Sequence, residues 1–190
     1  MARYGTDHKQ TTRRRIIKTA GRRLKRDGID GSGIATLMAD AGLTNGAFYA
    51  HFGSKEDLVA RVLVDQLREQ RETFTDLSLE LIVRRYLSIE HRDNPEDGCP
   101  SAALLDEIGR TTDSTKREYT AGLMAVIDDI AARLTSHGAR SARLNALSVF
   151  ALMVGTLQLS RALADRQLAD EVLEQGIQNA LALLGAERPS

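Results

Sequence analysis

Cysteine, proline and aromatic residues are all scarce in this sequence, and each scarcity narrows the class of protein. A single cysteine, Cys99, in 190 residues excludes an internal disulfide framework and is compatible with a reducing compartment. Three prolines interrupt few helices, and aromatic residues make up only 4% of the chain. Because strands prefer β-branched and aromatic residues, a chain rich in Ala, Leu and Arg favours an all-α fold.

Long apolar runs are missing as well. The longest run near the C-terminus, residues 149–154, is far too short to cross a bilayer. The start of the chain is polar and leads into a basic run, unlike the apolar core of a signal peptide. These features predict a soluble protein that stays in the cytoplasm.

The net charge is zero, but it is unevenly distributed along the chain. Residues 1–55 contain 11 Lys/Arg and 4 Asp/Glu, a net charge of +7. The remaining residues contain 15 Lys/Arg and 22 Asp/Glu, a net charge of −7. A basic head on an acidic body indicates a polyanionic partner for the head, although a solvated basic helix face would give the same count.

Apolar residues at helical spacing predict nine helices and no strand. Helix-terminating glycines and capping residues set the expected bounds, with Ser32, Thr44 and Ser54 as candidate N-caps. The predicted helices cover 11–26, 34–41, 45–52, a segment starting at 55, 77–90, 100–112, 114–137, 142–165 and 170–184.

The most informative segment is 34–58, IATLMADAGLTNGAFYAHFGSKEDL. Two short helices joined by a glycine-containing turn form a helix-turn-helix, whose second helix reads bases in the major groove. The start of that second helix carries hydrogen-bonding and small residues, which permit close approach to DNA. Phe48, Phe52, Leu37 and Leu43 are predicted to be core residues.

At this segment the sequence resembles the tetracycline-repressor (TetR) family of bacterial regulators. The family has a basic first helix, a second helix ending in Ala-Gly, and a recognition helix Gly-x-x-Tyr-x-x-Phe followed by Ser/Asn-Lys-Glu-x-Leu. The matching residues here are Ala41, Gly42, Gly46, Tyr49, Phe52, Ser54, Lys55, Glu56 and Leu58. The resemblance implies a DNA-binding domain over residues 1–55 and a helical ligand-binding and dimerisation domain over 56–190.

Carried over position by position, the resemblance implies two sets of DNA contacts. Base or groove contacts are expected at Thr44, Asn45, Gly46 and Ala47, and phosphate contacts at Tyr49, His51, Lys55 and Thr36. Position 45 is commonly Lys or Arg in the family and is Asn here, so this position either reads a base or makes no contact. The expected activity is that of a ligand-responsive regulator, most simply a repressor, released from a palindromic operator by a small effector.

The last two helices are expected to form a homodimer. The segment 142–164 is apolar nearly all round, so a soluble helix there must be covered on more than one face. The alternative is a core helix buried within one subunit. The predicted interface residues are Leu147, Phe150, Ala151, Val154, Leu157, Leu173, Ile177 and Leu181.

An effector pocket is expected to have an apolar wall with few polar groups. The candidate lining residues, equally suited to plain core, are Phe74, Cys99, Leu104, Leu123, Met124, Ile127 and Met153. Cys99 begins a predicted helix after a glycine, as in family members that sense oxidants or electrophiles, so a cysteine-based sensor is an alternative. Nearby acidic residues disfavour a thiolate there, and a buried, inert cysteine is the commoner outcome.

Two readings from other classes remain open at this point. The first is an enzyme with Cys99 as nucleophile, His91 as base and Glu107 as orienting group. It leaves the basic head unexplained and has no oxyanion-type glycine loop. The second is a DNA-architectural protein without a working pocket. No metal or other cofactor is predicted.

Overall fold

The computed structural model describes residues 2–134 and 139–185, in which the regular structure is entirely helical, so the all-α prediction is confirmed. The α-helices are α1 (Ala2–Asp27), α2 (Ile34–Asp40), α3 (Lys55–Phe74), α4 (Leu79–Tyr86), α5 (Ile89–Asp93), α6 (Pro100–Gly109), α7 (Asp113–Ala131), α8 (Ala139–Ala162) and α9 (Arg166–Leu183). Two 3-10 helices cover Asn45–Ala50 and Pro95–Asp97. The number of α-helices equals the predicted nine, but the elements differ.

The predicted helix 77–90 is in fact two helices. Ser78 caps α4 by accepting a hydrogen bond from the Leu81 amide at 3.2 Å, and Ser88 caps α5 by accepting one from the His91 amide at 3.1 Å. An internal serine that satisfies a free amide competes with the continuing helix, and this competition divides the segment. The periodicity of the apolar residues alone did not reveal the break.

Side-chain caps also explain the shifted bounds of α6 and α9. Asp165 accepts from the amides of Gln167 and Leu168, so α9 begins before the predicted residue 170. Thr112 caps α7, which ends α6 earlier than predicted. The cap at Ser54 is confirmed, because its hydroxyl accepts from the Asp57 amide at 3.1 Å. Helix α7 ends at Ala131, earlier than predicted, and the predicted end at residue 137 itself lies outside the described residues.

Two other predicted caps do not form. Thr44 precedes the first 3-10 helix without a side-chain hydrogen bond to it. Ser32 is buried and donates to the Gly28 carbonyl oxygen at 2.7 Å, while Gly33 occupies the cap position of α2. Ser32 thus stabilises the turn between α1 and α2.

The body is organised around α3, which contacts α1 on one side and α7 on the other. Arg161 of α8 fastens this body internally. Its guanidinium donates to the carbonyl oxygens of His91 (2.6 Å), Arg92 (3.0 Å) and Ala102 (2.8 Å). One side chain therefore holds α5 and α6 against α8.

Helix α8 has one buried and one exposed face, so the core-helix alternative is correct for the buried face, and the homodimer stays a prediction. Phe150, Val154 and Leu157 face the protein interior, where α8 packs on α7 and α9. Leu144 and Leu159 are each more than half exposed on the other face.

By length and composition alone, Arg140–Ala162 could cross a membrane, contrary to the expectation drawn from the short apolar run. The segment packs on the body and is fastened near both ends, by the Arg143–Asp128 ion pair and by Arg161. A core helix of a soluble protein passes the same length and composition test.

The predicted dimer residues need correction. Six of them are buried within the single chain by the packing of α8 against α9 and α7, and so cannot face a partner: Phe150, Val154, Leu157, Leu173, Ile177 and Leu181. Of the remaining two, Ala151 is exposed and Leu147 is half-buried. The sequence pattern marked the apolar face of α8 correctly but assigned it to the wrong neighbour.

Candidate nucleic-acid interface

The helix-turn-helix is built from α2, a turn and the Asn45–Ala50 3-10 helix. The turn depends on Gly42, which has a φ of 67°, a backbone conformation that L side chains rarely adopt. The amide of Gly42 donates to the Ala39 carbonyl oxygen, and the amide of Leu43 donates to that of Met38, each at 2.9 Å. This hydrogen-bond pattern ends α2 and redirects the chain.

Two phenylalanines anchor the second helical segment. Phe48 and Phe52 are buried, as predicted, with ring centroids 5.6 Å apart. Arg13 of α1 covers this pair: its guanidinium carbon lies 4.6 Å from the Phe52 ring centroid, and its Nη1 donates to the His51 carbonyl oxygen at 2.8 Å. Arg13 thus stabilises the packing of the head, in addition to contributing positive charge to the first helix.

The anchored segment presents the predicted groove residues to solvent. Thr44, Asn45 and Gly46 are exposed, and Tyr49 is 70% exposed, although its ring packs edge-on against Phe48 at 5.2 Å. Ala47 is half-buried. The geometry is a tight 3-10 helix in place of the expected regular helix over 45–52.

The predicted phosphate-contacting residues differ in solvent exposure. Thr36 is exposed on α2, and Lys55 is half-buried at the first turn of α3. His51 is half-buried, and its Nδ1 has no hydrogen-bond partner among the described residues. Burial, with the positive charges of Lys9 and Arg13, lowers the pKa of His51, so the ring is neutral at physiological pH.

The positive charge of α1 is divided between paired and unpaired side chains. Towards the C-terminal end of α1, Arg22, Arg23 and Arg26 form ion pairs with carboxylates. Four exposed basic residues form no ion pair with any residue that the structure describes: Lys9, Arg14, Arg15 and Lys18. These unpaired basic side chains of α1 therefore lie between residues 9 and 18, before the paired arginines.

The head and the body are joined by Glu107 of α6. Its Oε2 accepts from the amides of Ile29 (2.6 Å) and Asp30 (3.1 Å), in the turn between α1 and α2. A second connection runs from Lys25 of α1, whose Nζ donates to the Gly98 carbonyl oxygen at 2.7 Å. Hydrogen bonds therefore connect α6 and the loop before it directly to α1 and to the turn that follows α1.

A cavity of about 450 Å³ lies between α1, α3 and the segment from α4 to α6. Of the predicted lining residues, Phe74 and Cys99 line it. Leu104, Ile127 and Met153 are instead buried core, and Leu123 and Met124 pack against that core. They were selected by periodicity, which marks an inward face without distinguishing a filled core from a cavity wall.

The cavity wall also contains more polar groups than expected. It includes Lys25, Gln66, Gln70, Tyr86 and His91, none of which was predicted to line a pocket. A signal was present in α3, because Gln66 and Gln70 interrupt an otherwise apolar inward stripe at a spacing of one helical turn. Polar residues on such a stripe are a recognisable mark of a pocket.

The predicted nucleophile–base–orienter set is wrong. His91 accepts at Nε2 from the Cys99 amide at 2.9 Å, and its Nδ1 lies 2.7 Å from the Tyr86 carbonyl oxygen. Both ring nitrogens are therefore occupied by backbone groups and cannot activate a thiol. Glu107 bonds to the head and does not orient His91.

These features define an all-helical protein with a basic helix-turn-helix at its N-terminus. Residues 16–62 match the model of the family described as bacterial regulatory proteins, tetR family. The regulator TtgR of Pseudomonas putida is 36% identical over 72 residues, which are 38% of this chain and 34% of TtgR. The matched region thus spans about a third of the length of this relative.

Two solved structures show that the fold likeness extends beyond the head. The reduced form of E. coli NemR has a TM-score of 0.73 at 18% identity, covering 90% of this chain and 95% of NemR. A TetR-family regulator from Agrobacterium tumefaciens has a TM-score of 0.71 at 21% identity, covering 90% and 98%. The head thus matches the tetR family model, and the fold of nearly the whole chain is similar to those of these two structures.

Proposed function

We propose that this protein is a ligand-responsive transcriptional regulator, acting as a repressor, which binds a palindromic operator as a homodimer. The observation that carries the proposal is the exposed row Thr44, Asn45, Gly46 and Tyr49, held on the buried pair Phe48 and Phe52. Rigid presentation of small and hydrogen-bonding groups at the start of a second helix is what major-groove reading requires.

The charge distribution supports the same function. The unpaired basic side chains of α1 provide a sequence-independent attraction to phosphate, and Lys55 and Tyr49 are the proposed phosphate contacts nearer the groove. Because His51 is neutral, it would contact a phosphate by hydrogen bonding alone. We keep residues 1–55 as the proposed DNA-binding domain, with α3 as the first helix of the body.

The exposed face of α8 supports a homodimer. Leu144, Ala151, Gly155 and Leu159 follow one another at helical spacing on the side that the chain itself leaves uncovered. We propose that this row, rather than the buried row predicted from the sequence, contacts the partner. Two heads joined in this way would meet half-sites separated by about one helical turn or a multiple of it.

The two links between head and body support release by an effector. A ligand in the cavity touches the loop that Lys25 holds, and α6 leads from that loop to Glu107. The ligand would favour a head spacing that does not fit successive grooves, through its different affinity for the two states.

The proposal is tested by selecting a tight duplex from a random library and measuring its binding by fluorescence anisotropy at several salt concentrations. Log of the binding constant falls as log of the salt concentration rises, and Lys18→Ala should reduce the magnitude of this slope by about one unit. The matched control Arg84→Ala, which removes an exposed arginine from α4, should leave the slope unchanged. Equal slopes for all three proteins would contradict the assignment of the head.

A second measurement addresses base reading. If Asn45 contacts a base, Asn45→Ala should change the selected sequence at one position of each half-site, by about 1–3 kcal/mol of discrimination. An unchanged selection removes Asn45 from the reading set. A protein that prefers no duplex over bulk DNA would instead support the architectural alternative.

Cysteine-based sensing is a second candidate, because Cys99 lines the cavity. The side chain is only 6% exposed, so a reagent would have to enter the cavity to reach it. Labelling of the intact protein with a thiol probe, followed by operator binding, decides this: unmodified Cys99, or labelling without loss of binding, excludes the sensor. We propose no enzymatic activity, and a cytoplasmic location stays a prediction.

A further inference from the structure

Four buried side-chain polar atoms in the described ranges lack a hydrogen-bond partner, and three of them belong to residues lining the same cavity. These three are Oε1 of Gln66, Oε1 of Gln70 and the hydroxyl oxygen of Tyr86. Tyr86 is 3% exposed, and the Cys99 thiol beside its hydroxyl is only a weak hydrogen-bonding group. Buried polar atoms are nearly always satisfied, so this concentration indicates a ligand that satisfies them.

The charges at the cavity do not favour an ion of either sign. Lys25 and Arg85 are set against Glu69 and Glu90, and Asp97 pairs with Arg22. The Lys25 ammonium already donates to the Gly98 carbonyl oxygen, and His91 is neutral, because burial lowers its pKa to about 4. An uncharged ligand avoids the cost of leaving one set of these charges unbalanced.

Aromatic rings form much of the apolar part of the cavity wall. Phe74 and the Tyr86 ring line the cavity of about 450 Å³. Pockets that bind small molecules usually measure about 300–1,000 Å³. Gln66 and Gln70 are four residues apart on α3, so their backbones are separated by about 6 Å along the helix axis. Two ligand donors at a similar separation can meet both amides.

We propose that the cavity binds an uncharged aromatic molecule carrying at least two hydroxyl donors, which bond to Gln66 and Gln70 while Tyr86 pairs with one of them. This inference rests on the proposed function for its effector role, but the binding itself does not require DNA. The ligand would lie beside the Lys25–Gly98 hydrogen bond, and this bond would couple ligand binding to the position of α1.

The test compares four biphenyl compounds of similar size by calorimetry on the full-length protein: a biphenyldiol, its dimethyl ether, a biphenylcarboxylate and a biphenylmethylamine. The diol should bind at least about tenfold more tightly than each of the others, because the ether cannot donate and the ions disturb the charge balance. Equal binding of the ether, tighter binding of either ion, or no binding of the diol up to its solubility limit overturns the proposal.

Two variants identify the site. Tyr86→Phe should lower the affinity for the diol about tenfold without loss of folding stability, since the hydroxyl it removes has no strong partner. Its matched control is Tyr119→Phe, whose hydroxyl bonds to Ser101 Oγ at 2.8 Å outside the cavity wall. The control should be less stable but retain diol affinity, and unchanged affinity in Tyr86→Phe contradicts the assignment.

Operator release separates this inference from the proposed function. Diol binding that leaves the operator bound would confirm the ligand class and refute the effector role of the cavity. A protein that binds no specific duplex would refute the proposed function, while the calorimetric comparison would still decide the ligand class.

Discussion

Acidification should destabilise this protein through His91. The ring accepts from the Cys99 amide at Nε2, so its single proton is on Nδ1 and points to the Tyr86 carbonyl oxygen. A second proton would place an N–H against the Cys99 N–H, in a largely buried site also facing the positive charges of Arg161 and Lys25. The fold therefore favours the neutral ring.

The magnitude follows from the two pKa values. Burial first, and then the nearby positive charges, lower the pKa of His91 from 6.5 to about 4. The histidine of the unfolded chain takes up its proton first as the pH falls, so stability is fully present above pH 6.5 and declines towards pH 4. The loss between pH 7 and pH 5 is on the order of 2 kcal/mol, and the full loss about 3 kcal/mol.

The assay is urea unfolding of the wild type and His91→Gln at several pH values between 7.5 and 5. Glutamine cannot take up a proton in this range, and most carboxylates remain ionised down to about pH 5. The wild type should lose about 2 kcal/mol more than the variant over this interval. Parallel pH profiles for the two proteins would refute the reasoning, whatever the absolute stability of the variant.

Three substitutions test other contacts of the fold by the same unfolding measurement. Glu107→Ala should lower the free energy of unfolding by about 2 kcal/mol, because two backbone amides lose a carboxylate acceptor. The control Asp106→Ala, on the exposed face of the same helix, should lower it by less than about 0.5 kcal/mol. Equal losses would contradict the link between head and body. Gly42→Ala should cost about 1 kcal/mol from its positive φ alone, since nothing lies near the added carbon, and Gly46→Ala should cost nothing in stability. Arg161→Met should cost about 3 kcal/mol by leaving three carbonyl oxygens without their donor, and a loss below about 1 kcal/mol would show that they find other partners.

Most of the helical architecture was predictable from the sequence, because each apolar stripe and capping residue acts locally. The predicted helix 11–26, whose Ile16, Ala20 and Leu24 are buried in α1, and the Ser54 cap followed directly from spacing and residue type. The division at Ser88 did not, because a serine inside an apolar pattern caps a new helix only when the chain beyond it changes direction. That change is set by tertiary packing.

The two candidate sites were predictable to different degrees. The exposed row proposed to face DNA lies within one short segment, residues 44–49, and was located through the Gly46, Tyr49 and Phe52 spacing. The cavity gathers residues from five helices and a loop, so its wall could not be read from any one segment. Buried residues of α8 were predicted as interface for a similar reason, since both faces of the helix are apolar and only the positions of α7 and α9 distinguish them.

The central claim is that the segment beginning at Thr44 enters the major groove in a symmetric pair. The most direct measurement is a dimethyl sulfate footprint of the selected duplex with the full-length protein, because this reagent methylates guanine N7 in the major groove and adenine N3 in the minor groove. We predict protection of guanine N7 in two symmetric blocks whose centres lie about one helical turn, or a multiple of it, apart. A single block, protection confined to adenine N3, or no protection at all would contradict the account.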